Sequence, residues 1–146
     1  EEAKALRKTK KAGIVSQSTQ TIENVQDIIN ILMTKVFDLR FVNTICFPTK
    51  RNQEQIKELS EITDLMIIIG SFTSANSKRL AELSKERNKN TYQVTCAAEI
   101  DSAWITSDVN SIGISAGAST PDWIIESVIK KVKEITNTEE KEIIHE

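Results

Sequence analysis

Two hydrophobic periods take turns along this chain. Short apolar runs of strand length fall at residues 12–16 (AGIVS), 38–42 (DLRFV), 65–69 (LMIII) and 111–115 (SIGIS). Each gives way to a polar loop and then to a segment whose apolar positions recur every three or four residues, the spacing of one helix face. Ile22, Val25, Ile28, Ile29 and Leu32 share a face of a helix expected over 22–36, and Ile56 and Leu59 point inward from one expected over 50–61. A third helix is expected over 78–87. A fourth, over 122–135, carries Ile124, Ile125, Val128, Ile129 and Val132 in one stripe, with Thr120 as its N-cap and Pro121 at its first position.

Residues 91–95 (TYQVT) read as a further strand, residues 97–105 as a short helix, and residues 1–11 as a helix end or connecting arm. Strand, polar loop and helix thus recur over 12–35, 38–61, 65–87 and 111–135. That order gives an α/β fold with a mostly parallel sheet. The run LMIII is apolar at every position, as befits a parallel strand covered on both faces.

Composition narrows the function classes. The 146 residues carry a net charge of -2 and show no basic stripe with interleaved aromatics, so nucleic acid is not an expected partner. No apolar run approaches membrane-spanning length and the start lacks a signal-peptide core, so no membrane is expected and cytoplasmic residence is the expectation. The only two cysteines are Cys46 and Cys96, and the only histidine is His145, in an acidic tail. A self-contained zinc site, a Ser-His-Asp triad or a Cys-His dyad is therefore not expected. Residue 1 is Glu rather than Met, and the stretch before Asn43 is small for a closed domain, so the sequence reads as a piece of something longer.

The candidate chemistry begins at Cys46. In Val42-Asn43-Thr44-Ile45-Cys46-Phe47-Pro48-Thr49 a β-branched run stops at a thiol just before a helix is due. Helix N-terminal N–H groups and the dipole favour a thiolate there, suited to a nucleophile or a metal ligand. The plain alternative is a small buried hydrophobe; Cys96, with no comparable setting, is read as core filling. A cysteine-nucleophile phosphatase fits poorly, because Phe-Pro-Thr-Lys-Arg-Asn follows Cys46 instead of a glycine-rich cradle.

The four loops after the strands, SQSTQT, NTICFPT, GSFTSANS and AGASTPD, are rich in hydroxyl groups and poor in glycine. Ligands of open α/β sheets bind beyond the carboxyl ends of the strands, where such loops and helix N-termini suit phosphate oxygens. Singly, each loop reads as a helix cap. Four in equivalent positions around one edge point to a shared anionic ligand. Walker-type and dinucleotide glycine patterns are absent.

The strings SQST, NTIC-x-x-T, IIIGS-x-x-S-x-NS-x-RL and GISAGASTPDWII, in that order, resemble the 4-hydroxy-3-methylbut-2-enyl diphosphate reductase (IspH/LytB) family over residues 12–133. The likeness is to the carboxyl-terminal part of that enzyme. It implies three similar α/β domains around a 4Fe-4S cluster held by three cysteines, one per domain. On that footing residues 1–42 would be the remainder of a middle domain, 43–135 the third domain and 136–146 an acidic tail.

By the same resemblance Cys46 matches the third cluster cysteine. Ser74 and Asn76, with the Ala75 backbone between them, and Ser119 match the grip on the diphosphate. Ser18 matches a threonine beside the substrate's hydroxyl end, and Thr49 the threonine three places after the cysteine. The family often has Thr at the position of Ser18, Ser at Ala75 and Arg at Asn52. The implied reaction is reductive dehydroxylation to isopentenyl and dimethylallyl diphosphate in isoprenoid biosynthesis. Its implied partners are the allylic diphosphate, an external electron donor and the rest of the reductase chain. Two cluster cysteines, the diphosphate-binding histidines and the proton-donating Glu would lie upstream. Cys96 matches neither cysteine, and Glu99 and Glu126 do not match the acid, so this polypeptide alone is expected to be inactive. The alternative is a non-redox module that keeps the loops and binds a phosphate ester.

Overall fold

A computed structural model describes residues 1–136, which form two compact units, one of residues 1–50 and one of the described residues from 51 on. Of the expected tail only Thr136 is described, as the end of the last helix; the rest, with His145, lies outside the described residues.

In the first unit a short helix α1 (Glu2–Ala5) precedes strand β1 (Thr9–Val15), helix α2 (Ile22–Met33) and strand β2 (Val36–Val42). The expected helix end or connecting arm over 1–11 is thus one helical turn followed by the start of β1. The strands pair in parallel, from Thr9 opposite Val36 to Val15 opposite Val42. α2 starts where Thr21 accepts the Asn24 N–H at 3.3 Å, and Gln20 accepts the Asn24 carboxamide at 2.7 Å. It stops at Met33, short of the expected end. There the Thr34 N–H turns back to the Ile31 carbonyl and Val36 is already in β2. Of the predicted apolar stripe only Val25 is buried, and Ile28 is exposed.

Helix α3 (Phe47–Ile62) begins three residues before the expected start. Pro48 does not prevent this, because the N–H it lacks has no partner in a first helical turn. The first turn of α3 is counted with the first unit.

The second unit holds β3 (Leu65–Ile69), α4 (Ala75–Lys85), β4 (Thr91–Val94), β5 (Ile112–Ala116) and α5 (Asp122–Thr136). Its three strands are parallel in the order β4-β3-β5. All five residues of β3 have no exposed surface, as the unbroken apolar run requires. Leu65, Ile67 and Ile69 face one core with Ile114, Val128 and Val132, and Met66 and Ile68 face the other with Ile56, Leu80 and Leu83. Helices therefore cover both faces.

Residues 97–105 form two 3-10 turns, Ala97–Glu99 and Ser102–Trp104, in place of the expected helix. Buried Ile100 is extended between them, and Asp101 restarts the chain by accepting the Ala103 N–H at 2.9 Å. Trp104 stacks on Tyr92 with ring centroids 4.0 Å apart. No helix among the described residues is long and apolar enough to cross a membrane.

Candidate functional site

The loops expected around one sheet edge belong to two separate sheets, two loops to each unit. In the first unit every residue of the Asn43-Thr44-Ile45-Cys46 string has a structural task. Asn43 Oδ1 accepts the Ile45 N–H at 3.1 Å, which makes the turn. The Thr44 hydroxyl accepts the Ser16 N–H at 2.8 Å and donates to the Ser16 carbonyl, joining the ends of β1 and β2. Ile45 is buried. Cys46 then offers its carbonyl to the Lys50 N–H at 3.1 Å and so occupies the N-cap of α3.

The Cys46 thiol is exposed, which sets aside the buried-hydrophobe alternative. Its Sγ lies 2.7 Å from Thr49 Oγ1, and Thr49 is buried. The early start of α3 is what brings Thr49 round to the sulfur, one turn on. The Thr49 hydroxyl, and after it the Thr49 N–H, stabilise the charged form and hold the thiol below its ordinary value. A thiolate at a helix N-terminus is a soft metal ligand. Among the described residues, however, no group of three His, Cys, Asp or Glu side chains could hold a metal ion. Cys46 thus fits one place in a cluster, and the residues described here do not fit a whole one. Ser18 is exposed in the loop after β1.

In the second unit α4 begins at Ala75, three residues before the expected start, with Ser74 as N-cap accepting the Ser77 N–H at 3.3 Å. Helix geometry leaves the N–H groups of Ala75 and Asn76 without intrahelical partners. Asn76 Oδ1 is buried with no hydrogen-bond partner among the described residues, a rare state; the Nδ2 of the same carboxamide is the end that can donate to a phosphate oxygen. The Gly117 N–H donates to the Ile69 carbonyl at 2.9 Å. Thr120 does not cap α5 as expected: its hydroxyl donates to that same Ile69 carbonyl at 3.2 Å. The helix starts instead with the Pro121 carbonyl accepting the Ile124 N–H at 3.0 Å. Ser119 is exposed beside this turn. Ser74, Ala75 and Asn76 thus form the start of α4 just after β3, and Ser119 lies on the loop tied to the end of β3 through Gly117 and Thr120, an arrangement suited to phosphate oxygens.

Cys96 is half-buried at the end of β4 and no core residue. Glu99 accepts the Thr95 N–H at 2.6 Å and the Thr95 hydroxyl at 2.8 Å, and these bonds hold its carboxyl below the usual range, so it is a poor proton donor. Sequence reasoning passed over Thr44 and Ser77. The first lies inside the NTIC string and the second inside SANSKRL, yet neither period nor spacing marks what they touch.

Comparison with known proteins places this geometry. The LytB protein family model matches residues 1–133. The 4-hydroxy-3-methylbut-2-enyl diphosphate reductase of Geobacter sulfurreducens is 42% identical over 137 residues, 94% of this chain and 48% of that protein. The Aquifex aeolicus protein of the same name is 44% identical over 128 residues, 88% of this chain and 44% of its own. The chain spans about half the length of the curated relatives it matches.

Two solved structures are also similar. One is described as (E)-4-hydroxy-3-methyl-but-2-enyl diphosphate reductase, the terminal enzyme of the non-mevalonate pathway. It is 43% identical with a TM-score of 0.61, over 86% of this chain and 44% of that one. The other, the E-1-hydroxy-2-methyl-but-2-enyl-4-diphosphate reductase of Plasmodium falciparum, is 26% identical with a TM-score of 0.80, over 90% of this chain and 42% of that one. The match over nearly the whole chain, with the α/β fold and the loops that carry the motifs, makes this chain a member of the LytB protein family.

Proposed function

We propose that this chain is the carboxyl-terminal part of a 4-hydroxy-3-methylbut-2-enyl diphosphate reductase. The reaction consumes two electrons and two protons: the substrate's hydroxyl leaves as water, and the resulting allyl anion is protonated to isopentenyl or dimethylallyl diphosphate. The observation that carries the reading is the exposed Cys46 thiol, drawn toward its thiolate form by Thr49 at the head of α3. In this reading Cys46 supplies one of three thiolates to a 4Fe-4S cluster, which furnishes the electrons when bound. The other ligands, the diphosphate-binding histidines and the proton donor belong to residues outside this sequence. Within the second unit the Ala75 and Asn76 N–H groups, the Ser74 and Asn76 side chains and Ser119 hold the diphosphate. Ser18 serves the hydroxyl end. The chain alone is inactive, for want of those upstream residues.

A second reading is a phosphate-ester module without redox chemistry, which rests on the helix start at Ala75 and the exposed Ser119 and needs no thiol. The two part in a hybrid protein, with this chain in place of the carboxyl-terminal half of the Geobacter sulfurreducens relative. Anaerobic reconstitution with iron and sulfide should give the visible absorption of an iron–sulfur cluster, and Cys46→Ser should lose it. Equal absorption with and without the thiol would rule out the ligand role and leave the second reading.

A further inference from the structure

Ser77 has no part in the binding roles above, yet it is where the two loops of the second unit meet. It is the third residue of α4 and is 2% exposed. A Cβ built on Gly70 would stand 2.2 Å from its Oγ and 2.8 Å from its Cβ. One built on Gly117 would stand 2.6 Å from the same Oγ, with the next atoms being Thr120 Oγ1 at 3.6 Å and Asn76 Nδ2 at 3.8 Å. Carbon atoms in folded proteins do not come so close, so both positions lack a side chain because one hydroxyl fills their space. Gly70, with φ 157°, also holds a backbone conformation that favours glycine.

The surroundings hold these two glycines still. Gly70 and Gly117 follow β3 and β5 directly, and the Gly70 N–H donates to the Val94 carbonyl at 2.8 Å. The Gln93 carboxamide donates to the Gly70 carbonyl at 3.0 Å and lies 3.2 Å from that of Ser71. With the strand ends fixed by their ladder, the remaining freedom is the spacing between the loop that starts α4 and the loop that starts α5. The Ser77 hydroxyl stands in that gap.

We infer that Ser77 is a positioning residue for anion binding: its hydroxyl, wedged between Gly70 and Gly117, sets the β3–α4 and β5–α5 loops at the spacing a diphosphate needs. The inference rests on the phosphate-ester reading of the same two loops. It accounts for the glycine at 117 in steric terms, since only Ser77 Oγ stands closer than 3.6 Å to a Cβ there. Removing the hydroxyl makes room for a methyl group at 117. It does not do so at 70, where the Ser77 Cβ still stands at 2.8 Å.

That difference defines the test, made on this chain with Ser77→Ala, Gly117→Ala, Gly70→Ala and the two doubles that carry Ser77→Ala. Amide hydrogen exchange over residues 71–76 and 117–120 reads the loops without ligand, and calorimetric titration with inorganic pyrophosphate reads the site. Gly117→Ala should speed exchange in both loops and weaken pyrophosphate about tenfold, and adding Ser77→Ala should restore the protection and most of the affinity. Gly70→Ala should not be rescued. Unchanged exchange in Gly117→Ala, or a double as loose as that single, would overturn the inference. If the exchange cycle behaves as stated and pyrophosphate binds neither this chain nor the hybrid that supplies the amino-terminal half of the Geobacter sulfurreducens relative, the phosphate-ester reading falls, and the anion-binding role of Ser77 with it. Ser77 would then be a clamp between loops and nothing more.

Discussion

The two units spend their apolar residues in opposite ways. In the second, all of β3 is hidden between two helical layers, and each layer has its own core. In the first, only Thr21, Val25, Val36, Ile45 and Thr49 are buried, while Val15 is 72% exposed, Met33 64% and Phe37 96%. One unit therefore owes its stability to burial that its own elements complete. The other is held chiefly by its strand ladder and by polar ties such as Thr44 to Ser16. The phosphate-suited loops stand on the self-sufficient unit and the Cys46 thiol on the sparse one. Binding by the second unit should thus be measurable apart from anything the first unit does.

The largest effect expected of this contrast is on stability. Ile67→Ala empties a site with no exposed surface and should cost about 2–5 kcal/mol in a denaturant titration of the chain. Phe37→Ser removes a side chain that is 96% exposed and should change the unfolding free energy by less than about 0.5 kcal/mol. Equal costs would erase the difference between the units.

A smaller effect separates their carboxylates. Asp64 Oδ2 accepts the Asn110 N–H, the Ser111 N–H and the Ser111 hydroxyl, each at 2.9 Å, joining the turn before β3 to the turn before β5. The Asn110 N–H, then the Ser111 hydroxyl and N–H, hold the Asp64 carboxyl below the ordinary range. A depressed folded value stabilises above the unfolded value and is lost as pH falls through the folded one. Asp64→Asn should therefore lower the melting temperature near neutral pH by a few degrees, and the deficit should shrink in acid. Asp38 meets Lys11 and Arg40 only at 4.0 and 3.7 Å on the surface, so Asp38→Asn should leave the melting temperature almost unmoved.

The smallest shift is in thiol reactivity. Because the Thr49 hydroxyl favours the thiolate, Thr49→Val should move the pH midpoint of Cys46 alkylation upward while the fold stays intact. An unchanged midpoint would mean that the 2.7 Å contact does not tune the sulfur.

The same contrast explains what could be read without a structure. LMIII announced a doubly covered strand because burial on both faces leaves no polar position, and β3 has the predicted bounds. The 22–32 stripe announced a helix but overstated its burial, because periodicity records which residues share a face and not whether anything lies against it. Cys46 and Thr49 were legible from the NTIC-x-x-T string. Their meeting was not, since it depends on α3 starting at Phe47 through a proline. Ser77 stayed hidden because its role is to exclude a Cβ at two distant glycines, and no local pattern records an excluded atom. The short helix expected over 97–105 failed at Ile100, whose burial required an extended backbone.

The proposed role of Cys46 in a reductase can be measured as turnover. Its most direct measurement is the anaerobic turnover of 4-hydroxy-3-methylbut-2-enyl diphosphate by the hybrid with the Geobacter sulfurreducens amino-terminal half, using dithionite as reductant. Turnover should be seen with the thiol present and should fall to background with Cys46→Ser, while pyrophosphate binding by the second unit's loops is kept. Turnover that survives Cys46→Ser would contradict it.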